Sequence, residues 1–88
     1  MPMIGMTLEE VRGFANQLRS KADQIDQLTG ELTSALGGTT WVGNDRTQFE
    51  NDWNSNYVTA LKNVAEGLRG AAQRADQNAM DQEGVSNA

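Results

Sequence analysis

Apolar residues recur along the first half of the chain at Leu8, Val11, Phe14, Ala15, Leu18, Ala22, Ile25, Leu28, Leu32, Ala35 and Leu36. Every step longer than one is three or four residues, which is the period of an α-helix. With Val11 as heptad position a, Val11, Leu18, Ile25 and Leu32 share a; Phe14, Leu28 and Ala35 share d, where Lys21 is the exception; and Leu8, Ala15, Ala22 and Leu36 share e. Three adjoining apolar positions make a stripe wider than the seam of a two-stranded coiled coil and suit a helix with two neighbours. The spacing predicts a first helix over about 7–36. Thr7 and Glu10 form a capping-box pair at its start, and Glu9 and Glu10 favour the positive end of the helix dipole. Gly37-Gly38 is expected to end it in a left-handed C-cap.

A second stripe follows at Phe49, Trp53, Tyr57, Ala60, Leu61, Val64, Leu68, Ala71, Ala72 and Ala75. It predicts a second helix over about 45–76, with Thr39, Thr40 or Asn44 as its N-cap. Gly67 and Gly70 each cost helicity by about 1 kcal/mol against alanine, which suggests a close backbone approach or a loosening helix. Residues 77–88 turn polar and read as frayed helix passing into a disordered tail, and residues 1–6 as a flexible N-terminal tail. No strand pattern and no internal repeat beyond the heptads is present. Two helices of about 45 Å joined by a turn over about 37–44 must lie antiparallel. The expected fold is all-α, a helical hairpin.

A lone hairpin leaves part of each stripe uncovered. Phe49, Trp53 and Tyr57 crowd the start of the second helix, and burying a large apolar side chain is worth roughly 1.5–3 kcal/mol. A chain of 88 residues has little core of its own. The expectation is a second hairpin docked face to face into a four-helix bundle, with Val11, Phe14, Leu18, Ile25, Leu28, Leu32, Phe49, Trp53, Tyr57, Leu61, Val64 and Leu68 as core or dimer interface.

Composition narrows the chemistry. There is no cysteine and no histidine, the net charge is −5, and the pI is about 4.4. This removes thiolate and imidazole chemistry and gives no basic stripe for nucleic acid. Acid pairs such as Asp23 with Asp26, or Glu50 with Asp52, lack the walled cavity that catalytic carboxylates need. No catalytic site, cofactor or metal is expected; Asn44, Asp45, Glu50 and Asp52 do not follow calcium-loop spacing. Lys21 is expected to snorkel to water. No segment approaches the roughly 20 apolar residues of a membrane span, and residues 1–6 lack the basic and apolar regions of a Sec signal peptide.

Trp41-x-Gly43 lies near the midpoint of the chain, with Phe49 eight and Trp53 twelve residues after the tryptophan and heptad runs on both sides. Glycine permits a tight or positive-φ turn, and the indole is too large for a two-helix turn to bury, so it is expected against the helix ends or a partner. Over roughly Thr7 to Asp76 the chain resembles the WXG family, the early-secreted-antigen-like small proteins of type VII (ESX) secretion systems. The resemblance implies a hairpin that forms homo- or heterodimeric four-helix bundles with a related hairpin. It further implies engagement of the secretion ATPase or other type VII machinery, and export as a folded dimer from an actinobacterial or related Gram-positive cell without a signal peptide. Such proteins act as non-enzymatic effectors, adaptors or co-secreted partners. The family's C-terminal Tyr-x-x-x-Asp/Glu export signal is similar to Ala72-Gln73-Arg74-Ala75-Asp76, where the acidic member is Asp76 and the tyrosine position holds Ala72. Tyr57 does not replace it, since Leu61 stands four residues on; Tyr57 reads as a core aromatic. Two further readings are a membrane-active hairpin, disfavoured by seven basic against twelve acidic residues, and a cytoplasmic adaptor that is not exported.

Overall fold

The computed structural model describes residues 7–87, with side chains through Gln82. Its order is α1 (Leu8–Gly38), α2 (Asn44–Asp52), a π-helical turn (Trp53–Tyr57) and α3 (Val58–Asn87). The last three run on without a break as one long helix. It packs against α1 through α3 in an antiparallel hairpin, and no strand occurs among the described residues. The expected N-terminal tail, residues 1–6, lies outside the described residues.

α1 opens with the expected capping box: the Glu10 amide donates to Thr7 Oγ1 at 3.1 Å, and the Thr7 amide donates to Glu10 Oε1 at 3.2 Å. Its end differs from expectation. Gly37 and Gly38 remain helical, and Thr39 caps them in an extended conformation (φ −89°, ψ 151°), so no left-handed residue is used there. Positive φ appears instead at Gly43 (φ 113°), the N-cap of α2. Thr39, Thr40 and Asn44 therefore do not cap the second helix. The Gly43 carbonyl accepts from the Thr47 amide at 3.1 Å and the Thr47 hydroxyl at 3.2 Å.

The connection is not a compact turn. α1 is about 46 Å long and the second helix about 66 Å at 1.5 Å per residue, and the molecule measures 65 × 17 × 17 Å. Because α1 packs along α3 and not along α2, α2 projects past the end of α1. Thr39–Gly43 follows the projecting helix as a strap. Arg46 ties it down, donating from Nη1 to the carbonyls of Trp41 (2.7 Å) and Thr39 (3.3 Å).

The π turn has a cause in the sequence. Phe49, Trp53, Tyr57 and Leu61 are spaced by three consecutive fours, which in an unbroken α-helix would drift about 120° around the axis. A turn with i→i+5 bonding absorbs one extra residue and cuts that drift to about 20°.

The seam between the two helices is built from small residues. The buried residues of α1 are Ala15 and Ala22, and those of α3 are Ala65, Ala72 and Ala79. With Leu61 as a, the alanines of both helices occupy position e. Positions a and d, where the larger side chains stand, lie beside the seam rather than in it. Apart from Trp53, every buried side chain among the described residues is an alanine. Small seam residues let two helices approach closely and leave their larger neighbours facing outward.

Two further expectations are revised. α3 continues to Asn87, so the stretch after Asp76 is helical where fraying is expected. Gly67 has nothing within 4 Å of where a Cβ would stand, and Gly70 meets only the end of Arg74. Neither glycine accommodates a neighbour within this chain, and the helix does not loosen around them.

Candidate interaction surface

In an antiparallel pair with both seams at e, positions a and d of the two helices fall on one broad side, and positions b on the other. The two sides differ in character. Across the b side, Arg69 Nη2 bonds Asp26 Oδ2 at 2.6 Å and Asp23 Oδ1 at 2.9 Å, and Arg19 pairs with Asp76. The two aspartates hold the Arg69 guanidinium above the ordinary arginine range, so it stays charged at every working pH. Sign and window follow: a raised arginine contributes stability below its unfolded value and loses it only in strong alkali.

The a/d side is apolar and open. Phe14, Leu28 and Leu32 are each 47% exposed. Val64 is exposed, and Val11, Leu18, Ile25, Leu61 and Leu68 are half-buried. Lys21 stands at d among them, exposed and without an ion-pair partner among the described residues.

At the tip four rings form a chain. Centroid separations are 6.0 Å for Trp41–Phe49, 6.1 Å for Phe49–Trp53, 6.5 Å for Phe49–Tyr57 and 6.4 Å for Trp53–Tyr57. These distances suit offset and tilted aromatic pairs. Trp53 is the buried member, and its Nε1 donates to Thr33 Oγ1 at 2.8 Å, a polar tie between α1 and the projecting end. Trp41 lies on Phe49 and remains 43% exposed, and Val42 beside it is 82% exposed. Tyr57, expected in the core or at a dimer interface, is 48% exposed. The exposed rings continue the apolar side of the hairpin to its end.

No family model, no curated protein and no solved structure matches this chain.

Ala72 and Asp76, the residues similar to an export signal, have structural neighbours here. Ala72 is wholly inside the seam, and Asp76 pairs with Arg19 across it. No helix among the described residues is long and apolar enough to cross a membrane, and no cluster of three or more acidic, His or Cys side chains could hold a metal ion. Sequence reasoning missed the Arg69 clamp, the Arg46 tie and the Trp53–Thr33 bond. The clamp had a signal: opposite charges at position b of both helices, legible once the seam is centred on e rather than between a and d.

Proposed function

We propose that this protein is a non-enzymatic interaction module whose apolar side docks a second helical hairpin, identical or related, to complete a four-helix bundle. The observation that carries the reading is the division of labour between positions: alanines fill the seam, while the large side chains of both helices stand open on one side. Soluble monomers seldom leave so continuous an apolar surface uncovered. That side runs along both helices of a molecule 65 Å long. The Trp41-x-Gly43 tip, with Gly43 at positive φ, and the heptad runs support a role as a substrate of a type VII secretion system, exported as a folded dimer and acting as an effector, adaptor or co-secreted partner.

Light scattering coupled to size-exclusion chromatography tests the module. A mass near twice the 9.6 kDa chain, alone or as a one-to-one complex with a hairpin encoded beside it, is expected. A compact monomer that binds neither refutes it. Immunoblots of culture medium against a cytosolic lysis control test export separately.

A further inference from the structure

We infer that the projecting end of the hairpin docks a protein segment in which arginine stands beside aliphatic side chains, the aliphatic groups lying on the ring chain and the guanidinium reaching Asp45 and Asp52. This goes beyond the dimeric reading above, because α2 lies past the stretch along which α1 and α3 pair.

The rings supply the apolar half of the site. Trp41, Phe49 and Tyr57 are all exposed, and Phe49 touches the other two. With Val42 open beside Trp41, they form a short apolar strip at one end of the rod.

Charge says what covers that strip. Between Thr39 and Tyr57 the chain carries Asp45, Glu50 and Asp52 against a single cation, Arg46. That cation is already occupied. Its Nη1 donates to the carbonyls of Thr39 and Trp41, and its Nη2 meets Glu50 Oε2 at 3.4 Å. Asp45 and Asp52 have no ion-pair partner among the described residues. Asp52 accepts from the neutral Gln48 amide at 3.1 and 3.2 Å, which leaves its charge uncompensated. The two aspartates stand four residues before and three after Phe49. They therefore fall on one flank of that ring, roughly 40° and 60° around the helix from it, while Arg46 and Trp53 fall on the other. Neighbours at these spacings lie about 5–6 Å apart between Cβ atoms. A cation resting on Phe49 is thus within reach of both carboxylates.

Arginine fits this arrangement better than lysine. Its flat guanidinium stacks on a ring face while its N–H groups fork onto a carboxylate. The same carboxylates repel phosphate backbones and acidic lipid headgroups, so the strip favours a basic, apolar peptide over either.

The test uses the full chain and a capped peptide of alternating arginine and leucine. Controls put glutamate in place of arginine, or serine in place of leucine. The arginine–leucine peptide should change tryptophan emission saturably at one-to-one stoichiometry, and more weakly as salt rises. Each control should bind at least about tenfold more weakly, and Asp45→Asn/Asp52→Asn should weaken the parent peptide roughly fivefold or more. Circular dichroism of that variant should be unchanged, since neither aspartate bonds to α1. Glu31→Gln/Asp81→Asn alters the net charge equally, away from the rings, and should leave binding within about twofold. Failure of the arginine–leucine peptide to bind overturns the inference. So does equal binding of either control, indifference to the loss of Asp45 and Asp52, or tighter binding to phosphatidylglycerol vesicles than to the peptide. Light scattering reads the dimeric proposal separately: a dimer that ignores the peptide leaves that proposal standing and this inference overturned, and a monomer that binds the peptide does the reverse.

Discussion

Alanine at position 72 decides more than its size suggests. It is fully buried between α1 and α3, one of three alanines seven residues apart on α3 that face Ala15 and Ala22. A tyrosine there would restore the aromatic member of the export pattern the chain resembles, but it would have to enter a seam with room for a methyl group. Ala72→Tyr is therefore expected to destabilise the hairpin, by about 1–3 kcal/mol from overpacking, and not to raise export. Thermal unfolding and a medium immunoblot of the same variant check both halves. The capping box and the special conformation of Gly43 were legible from residue identity, because each is a local demand on one hydroxyl or one φ angle. The burial of Ala72 and the exposure of Tyr57 were not. Hydrophobicity favours the larger side chain as core, and only the pairing of two alanine-bearing faces reverses that order.

Among the elements, the π turn answers a spacing that the sequence displays openly. Phe49, Trp53, Tyr57 and Leu61 keep one face only if an extra residue is taken up, and Trp53–Tyr57 takes it up. Deleting Ser55 should return the stretch to a regular heptad of alternating fours and threes and leave the ring chain assembled. The expected outcome is unchanged tryptophan emission with an equal or higher melting temperature. A red shift with loss of stability would mean that the π turn itself holds Trp53 against Thr33. Helix existence and antiparallel order were readable from the period of apolar positions. The strap was not, because the 3.6 period says nothing about how far one helix outruns the other. The length of helix beyond Asp76 was missed for a similar reason: its polar surface suggested fraying, while Ala79, in the seam, marks continued pairing.

At the scale of the molecule, the sequence supports a hairpin with surplus apolar surface, and the structure shows where the surplus lies. One side is stitched by Arg19, Arg69 and their aspartates, and the other carries the leucines and rings. Removing residues after Ala71 takes away Ala72, Ala79 and the Asp76 pair, and is expected to abolish cooperative unfolding. Removing residues after Gln82 leaves all three and should preserve it. Denaturant titration followed by circular dichroism separates the two.

A seam of methyl groups also has a mechanical meaning. Methyl groups interlock shallowly, so each seam layer resists separation by little. The two rods are kept from slipping chiefly by Arg19, Arg69 and the Trp53–Thr33 bond. Drawn lengthwise by one end, such a rod is expected to part stepwise under modest tension rather than in a single abrupt rupture, and more easily as ionic strength rises, which force spectroscopy at two salt concentrations checks.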